Sequence, residues 1–194
     1  MGELFNNKYR IKSTRLKHWD YSLSGAYYVT ICTKNRECYL GQIINRKMIL
    51  SEIGNIASNE WIKTRQIREH VTLDKFVVMP NHLHGIVIIQ NDNLPNVETH
   101  SHASLQTVHK NKFSPQIRNL GAIIRGFKGT TTKQIRSIGH HDFAWQERYY
   151  EHIIRNEHEL NRIRGYIINN PLQWELDKNN PRNKLHKPPK LICS

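Results

Sequence analysis

Long apolar runs, paired cysteines and acidic residues are all scarce in this chain of 194 residues. No stretch approaches the roughly 20 consecutive apolar residues that a transmembrane helix needs, and residues 1–8 contain no apolar signal core. The three cysteines, Cys32, Cys38 and Cys193, form no Cys-x-x-Cys pair, and their spacing does not support a structural zinc site with four ligands. These absences predict a cytoplasmic protein with reduced thiols and no membrane partner.

Positive charge is in surplus instead, since the chain contains 29 lysines and arginines but only 16 acidic residues. Such a surplus indicates a polyanionic partner. Nucleic acid is the first candidate, and an anionic membrane surface is the second. The length predicts one domain, residues 21–177, between a basic N-terminal arm (1–20) and a basic C-terminal tail (178–194). Residues 91–115 are polar and show little periodicity, which predicts a long loop or an insertion.

Periodicity and cap residues divide the central region into strands and helices. Apolar, aromatic and β-branched runs predict strands at 26–33, 71–79 and 84–90, a hairpin at 38–50 and an extended segment at 143–155. Amphipathic spacing predicts a helix that begins after Ser51 and another over 119–138. Asn156 is a typical N-cap for a last helix, which Pro171 must end or kink.

A pair of histidines lies between the strands at 71–79 and 84–90, in Pro80-Asn81-His82-Leu83-His84-Gly85. On an extended backbone, residues two apart point to the same face, so His82 and His84 present two imidazoles side by side. Imidazole is the commonest metal ligand, and the pair is half of a metal site. Taken alone, surface or hydrogen-bonded histidines explain it better. A second pair, His100 and His102, lacks flanking strands and fits a solvated loop.

On the last predicted helix, Tyr166 and Asn170 are four residues apart and therefore share a face. By itself, Tyr166 fits a tyrosine at the rim of the core. With a metal nearby, the amide oxygen of Asn170 and the two imidazoles would form an open site with three ligands. A cation held there can polarise a scissile phosphate and stabilise the leaving oxygen.

Basic and aromatic residues supply candidate contacts to nucleic acid. On the helix over 119–138, Arg125, Lys128 and Arg136 recur at helical spacing, and phosphate contact and a solvated face explain them equally well. Trp19, Trp145 and Trp174 could stack on bases, although each is as easily a core residue. Arg148, which follows Trp145 closely, completes the predicted DNA-binding set.

Several stretches, in order along about residues 10–181, resemble the IS200-like single-tyrosine (Y1) transposases of the HUH endonuclease superfamily, in particular the REP-associated tyrosine transposases. The combination of His-hydrophobic-His with a helical Tyr-x-x-x-Asn-Pro is the specific part of the resemblance. The matching stretches are Trp19-Asp20-Tyr21-Ser22, Tyr28-Val29-Thr30-Ile31-Cys32-Thr33, Val78-Met79-Pro80-Asn81-His82-Leu83-His84-Gly85-Ile86, Leu120-Gly121-Ala122-Ile123-Ile124, Trp145-Gln146-Glu147-Arg148-Tyr149-Tyr150-Glu151-His152 and Tyr166-Ile167-Ile168-Asn169-Asn170-Pro171.

The resemblance implies an α+β fold, an antiparallel sheet covered by helices that is related to ferredoxin-like and RNA-recognition-motif architectures. It implies metal-dependent cleavage and rejoining of single-stranded DNA in transposition, with a 5′-phosphotyrosine intermediate at Tyr166. It places the metal on His82, His84 and Asn170, and the ion would be magnesium or manganese. The expected partner is single-stranded DNA with hairpin-forming repeats, in the bacterial cytoplasm near the nucleoid, and the enzyme would act as a monomer or a homodimer.

Three questions stay open at the level of sequence. Tyr149 and Tyr150 are rival nucleophiles, with His152 close by. Imidazole ligands favour manganese over magnesium, which prefers oxygen. The alternative function is a catalytically silent module of RNA-recognition-motif type that binds single strands, although the aromatic pair expected on its central strands is not evident.

Overall fold

The computed structural model describes residues 19–90 and 118–184, together with two short strands near the N-terminus. Three α-helices and eight strands occur in these ranges. The strands are β1 (Leu4–Phe5), β2 (Lys8–Tyr9), β3 (Gly25–Cys32), β4 (Gly41–Ile44), β5 (Lys47–Leu50), β6 (Val71–Met79), β7 (His82–Ile89) and β8 (Tyr150–Ile154). The helices are α1 (Glu52–Ile67), α2 (Leu120–Ser137) and α3 (Glu157–Asn169), and 3-10 helices occur at Lys34–Arg36, Asn170–Leu176 and Pro181–Lys184.

A four-stranded sheet forms the centre of the fold, with the strand order β6-β7-β3-β8. Every neighbouring pair in it is antiparallel. In the register of β3 and β7, Cys32 lies opposite His82 and Thr30 lies opposite His84. The predicted α+β fold with an antiparallel sheet is therefore confirmed, and the histidine pair lies on a central strand.

The helices cover both faces of this sheet. The larger core cluster joins one face, which includes Tyr27 and Leu83, to apolar residues of α1 and α2. The opposite face carries Tyr28 and Ile86, and it packs on Ile163 and Ile167 of α3. Since Leu83 belongs to the first face, His82 and His84 must lie on the second, under α3.

Local sequence signals explain where the helices begin. The side chains of Ser51, Asn119 and Asn156 each accept a hydrogen bond from the backbone amide three residues later. These caps satisfy amides that the first turn of a helix leaves free. The predicted helix starts at Ser51 and Asn156 are confirmed, and α2 agrees with the predicted 119–138. After α3 the chain tightens into the 3-10 helix that contains Pro171.

Two further predictions concern the hairpin before α1, which forms a separate two-stranded sheet, and the segment before α3. The predicted hairpin is β4 and β5, and its turn residues Asn45 and Arg46 both have positive φ. The predicted extended segment 143–155 is a strand only over Tyr150–Ile154. The residues before it are held by an isolated bridge between Thr33 and Trp145.

Gly85 allows α1 to pack closely against the sheet behind the histidines. A Cβ on Gly85 would lie 2.5 Å from Cζ2 of Trp61, a fully buried residue of α1. Real Cβ atoms do not approach other atoms so closely, so this position requires glycine. The strand that carries His84 is thereby fixed against the larger core.

Some predictions lie outside the described residues. They are the loop or insertion at 91–115, the histidines His100 and His102, most of the N-terminal arm and residues 185–194 of the basic tail. Within the ranges that the structure describes, no helix is both long and apolar enough to cross a membrane.

Candidate active site

His82 and His84 are almost completely buried, at 0% and 2% exposure. Their Nε2 atoms lie 3.0 Å apart, so the two rings converge on one point as the strand alternation predicts. Burial, together with the neighbouring His84, Arg36 and Lys178, holds the pKa of His82 well below its usual range. Burial and Lys178 lower the pKa of His84 to about 3. Both rings are therefore neutral at neutral pH, which is the form that binds a metal.

Asn81 fixes the ring orientation and the tautomer of His82. Its Nδ2 donates to the carbonyl oxygens of Arg36, at 2.8 Å, and Asn179, at 2.7 Å. Because the amide nitrogen is used in this way, Oδ1 must face His82, and it accepts from Nδ1 at 2.8 Å. With its proton on Nδ1, His82 presents an Nε2 lone pair to the site.

Two hydroxyl groups of β3 support His84 from behind. The Tyr28 hydroxyl lies 2.7 Å from Nδ1 of His84, and Oγ1 of Thr30 lies 2.9 Å from the same atom. A metal-bound histidine normally donates its other ring N–H to an oxygen of this kind. Nε2 of His84 therefore faces the same point as Nε2 of His82.

Asp177 is the residue that the sequence analysis missed. Among the described residues, ligand atoms of His82, His84 and Asp177 lie within 4.8 Å of one another. The carboxylate Oδ2 is 3.7 Å from Nε2 of His82. Asp177 follows the 3-10 helix Asn170–Leu176 and is 95 positions from His82 in the sequence, so no local spacing connects them. Its place as the acid immediately before the basic tail was the only available signal.

Asn170, the third ligand predicted from sequence, is 2% exposed. Its Oδ1 is buried and has no hydrogen-bond partner among the described residues. A buried acceptor without a partner is unfavourable, and a cation could satisfy it. The role of Asn170 as a metal ligand stays a prediction, to which Asp177 is now added.

Tyr166 projects from α3 toward the histidine pair of its own chain. Its hydroxyl oxygen lies 3.5 Å from Nε2 of His84, and its ring is 5.3 Å from the imidazole. Burial raises the pKa of Tyr166, and hydrogen bonds with Asn170 and Tyr28 oppose that effect. The side chain is still 42% exposed, so a substrate can reach it.

An ion pair holds α3, and with it Tyr166, over the sheet. Nε and Nη2 of Arg164 donate to Oδ2 of Asp74 on β6, at 2.8 and 2.6 Å. At the other end of the helix, Glu159 accepts from His152 at 2.7 Å. The rival Tyr150 is 54% exposed on β8, and its ring lies 6.2 Å from that of Tyr28.

The donor set fits a divalent cation. In an octahedral ion with bond lengths of about 2.1 Å, adjacent ligand atoms are separated by about 3.0 Å. The two Nε2 atoms are 3.0 Å apart and Oδ2 of Asp177 lies 3.7 Å from Nε2 of His82, so Asp177 must move toward the pair for one ion to be held by all three. Two imidazoles with one carboxylate suit manganese, and a larger share of oxygen and water ligands would suit magnesium.

The predicted DNA contacts of α2 are not brought to the histidine pair, since α2 packs on the opposite face of the sheet. Arg125 is exposed. Nζ of Lys128 donates to the carbonyl oxygens of Gln146, at 2.7 Å, and Arg148, at 3.1 Å, so its charge is partly used within the protein. Arg136 is exposed but also donates to the Phe143 carbonyl, at 3.2 Å from Nη2.

The three tryptophans predicted to stack on bases differ in burial and in distance from the histidine pair. Trp145 is 8% exposed and packs on Phe127 and Phe143, so its position gives no support to a stacking role. Trp174 is half-buried, and its ring lies 6.1 Å from that of His82. Trp19 is 37% exposed, and Arg148 is exposed as well. Of the three tryptophans, Trp174 lies beside the candidate metal centre.

Comparisons with known proteins place the chain in a family. No family model matches the sequence. An uncharacterized protein of Haemophilus influenzae (strain ATCC 51907 / DSM 11121 / KW20 / Rd) is 41% identical over 170 residues, which cover 86% of this chain and 91% of that protein. A solved structure described as a REP-associated tyrosine transposase bound to a REP hairpin superposes with a TM-score of 0.55 at 19% identity, over 84% of this chain and 74% of the other. The chain therefore belongs to one family with the Haemophilus protein, and its fold is that of the REP-associated tyrosine transposases, as the sequence resemblance implied.

Proposed function

We propose that the protein cleaves and rejoins single-stranded DNA in a metal-dependent reaction, with Tyr166 as the nucleophile. The observation that carries the proposal is the position of the Tyr166 hydroxyl, 3.5 Å from Nε2 of His84 and beside a group of three potential metal ligands. A tyrosine beside two neutral imidazoles and a carboxylate supplies a nucleophile and ligands for a metal ion, which together can support transesterification of a phosphodiester. The fold shared with a transposase agrees with this function.

The reaction keeps the energy of the phosphodiester in a new ester bond between the phosphate and Tyr166. The Tyr166 oxygen attacks the phosphorus, the bond from phosphorus to the 3′ oxygen breaks, and the 5′ end becomes linked to the protein. The phenol loses its proton to solvent, which its 42% exposure allows, and the released 3′ oxygen takes up a proton. A divalent cation on His82, His84 and Asp177, with Asn170 nearby, would neutralise charge on the phosphate and the leaving oxygen. A 3′ hydroxyl reverses the step, so no nucleotide cofactor is needed.

The proposed substrate is a single strand next to a hairpin-forming repeat. The similar transposase is described as bound to a REP hairpin, and the net charge of +13 suits such a polyanion. The ion pair between Arg164 and Asp74 supports a cis arrangement, in which α3 serves the histidine pair of its own chain. Trp174, beside His82, is the tryptophan best placed to stack on a base near the cut.

The test is a covalent adduct on single-stranded DNA. Wild-type protein is incubated with Mn²⁺ and oligonucleotides labelled at either end, and denaturing gels are run. We expect a protein–DNA adduct that retains the label on the 3′ side of the cut and is abolished by Tyr166→Phe. Tyr150→Phe is the matched control, because it removes another exposed hydroxyl near the site and should leave the adduct intact.

Two results would contradict the proposal. An adduct that survives in Tyr166→Phe and disappears in Tyr150→Phe would assign the nucleophile to β8. Binding of the oligonucleotide without cleavage by the wild type, across repeat-containing and random single strands, would favour the silent binding module instead.

A further inference from the structure

Tyr28 contacts both a candidate metal ligand and the candidate nucleophile. Its hydroxyl lies 2.7 Å from Nδ1 of His84, and its ring stacks on that imidazole at 5.5 Å. The same ring meets Tyr166 edge-on, with centroids 6.2 Å apart. Tyr28 is 9% exposed, so its hydroxyl must find partners within the protein. The proposed cleavage assigns no role to this hydroxyl.

Without a metal, the contacts determine which way the Tyr28 hydroxyl points. Nδ1 of His82 carries a proton because it donates to Asn81. Nε2 of His82 is therefore an acceptor, and its 3.0 Å contact with His84 requires the proton on Nε2 of His84. Nδ1 of His84 is then a bare acceptor, and the Tyr28 O–H donates to it.

With a cation bound, the positions of the ring protons reverse the direction of the hydrogen bond between Tyr28 and His84. Both Nε2 atoms must then offer lone pairs, so the ring proton of His84 moves to Nδ1 and the number of protons on the ring is unchanged. The Tyr28 oxygen now accepts from His84, and it also accepts from Oγ1 of Thr30, at 3.2 Å. Its own hydrogen must turn to another acceptor. The neighbouring acceptor is the hydroxyl of Tyr166, whose ring meets that of Tyr28 edge-on and whose hydrogen bond with Tyr28 opposes the rise in the pKa of Tyr166.

We propose that Tyr28 is a positioning residue that couples the metal site to the nucleophile. Metal binding reverses the hydrogen bond between Tyr28 and His84, and the freed Tyr28 O–H then orients the oxygen of Tyr166. This inference rests on the proposed function of Tyr166. It predicts that the nucleophile is held in its reactive position only when the metal site is occupied.

The chain offers a matched pair of variants for a kinetic test. Tyr28→Phe removes the hydroxyl, while Thr30, whose Oγ1 is 2.9 Å from Nδ1 of His84, remains to support the metal-bound histidine. Tyr27→Phe is the control, since Tyr27 is the neighbouring buried tyrosine on the other face and donates to the Leu23 carbonyl. Mn²⁺ affinity is followed by quenching of Trp174, whose ring lies 6.1 Å from His82.

For Tyr28→Phe we expect adduct formation at saturating Mn²⁺ and DNA to slow by about 10- to 100-fold, the effect of losing a hydrogen bond to a developing charge. Mn²⁺ affinity and the KM for DNA should change little, and Tyr27→Phe should react like the wild type. An unchanged rate in Tyr28→Phe would overturn the inference. So would a loss of Mn²⁺ affinity that accounts for the loss of rate, because Tyr28 would then only support His84.

A second measurement does not depend on activity. In protein labelled with ¹⁵N-histidine, long-range ¹H–¹⁵N spectra report which ring nitrogen carries the proton, and His84→Gln identifies the signals of His84. We expect the Nε2–H tautomer without metal and the Nδ1–H tautomer with Mg²⁺. The Nδ1–H form in both states would refute the reversal even if the adduct forms. If the tautomers change but no adduct forms, the proposed cleavage fails and the coupling between metal and Tyr28 stands.

Discussion

Replacing Asn81 by alanine should weaken both the fold around the site and metal binding. The side chain is fully buried and makes three hydrogen bonds, to the Arg36 carbonyl, the Asn179 carbonyl and Nδ1 of His82. It therefore joins the loop after β3, the segment that follows Asp177 and the first histidine.

The magnitude follows from these bonds. Each buried hydrogen bond contributes about 0.5–1.5 kcal/mol net, so Asn81→Ala should lower the free energy of unfolding by about 3 kcal/mol. Loss of a partner that orients a metal-binding histidine lowers metal affinity by about 10- to 100-fold. Chemical denaturation of the metal-free protein measures the first effect, and calorimetric titration with Mn²⁺ measures the second.

Asn81→Asp separates the two effects. The carboxylate still accepts from His82, but it cannot donate to the two carbonyl groups, so stability should fall while Mn²⁺ affinity is retained. Asn55→Ala is the control, because Asn55 is an exposed asparagine of α1 with a single bond to the Ser51 carbonyl. Mn²⁺ affinity in Asn81→Ala equal to that of the wild type would refute the assignment of His82 as a ligand held in place by Asn81.

Further predictions concern the core, the tyrosine helix and the metal site. Gly85→Ala forces a methyl group against the buried indole behind the histidines, so it should cost about 1–3 kcal/mol in denaturant unfolding. Gly165→Ala, a helical position with open space around it, should stabilise by about 0.5–1 kcal/mol. The backbone hydrogen bond from Arg155, with that from His152, lowers the pKa of Glu159 below its usual 4.5. The resulting stability is complete above pH 4.5 and is lost as the pH falls through the lower folded value, so Glu159→Gln should flatten acid unfolding curves in that window. Asp177→Asn should reduce Mn²⁺ affinity at least as much as Asn81→Ala, and an unchanged titration would exclude Asp177 as a ligand.

Local patterns in the sequence predicted much of the fold correctly. Ser51 and Asn156 cap helices as predicted because capping is decided within three residues of the chain. The alternation of β7 put His82 and His84 on one face, since the period of a strand is two. The turn begins at Asn45 because asparagine tolerates the positive φ that a short hairpin needs, whereas Arg46 adopts a positive φ without such a preference.

The features that the sequence did not predict depend on tertiary contacts. Asp177 reaches His82 only because the 3-10 helix after α3 returns the chain to the end of the sheet. Lys128 resembles a phosphate contact in the helical pattern, but carbonyl oxygens beyond α2 bind its ammonium group. Trp145 could not be distinguished from an exposed platform because its burial depends on Phe127, which comes from α2, as well as on Phe143, two residues before it. Tyr28 gave no signal of contact with the site, since β3 and β7 are adjacent only in the sheet.

Peptide mapping of the covalent adduct tests the central claim most directly. Wild-type protein is reacted with a single-stranded oligonucleotide and Mn²⁺, digested with nuclease and protease, and the peptide that carries the residual nucleotide is sequenced by mass spectrometry. The modification should be a 5′-phosphate ester on Tyr166, and it should be absent when the metal is chelated. A nucleotide on Tyr149 or Tyr150, or a yield on Tyr166 that does not depend on metal, would contradict the account.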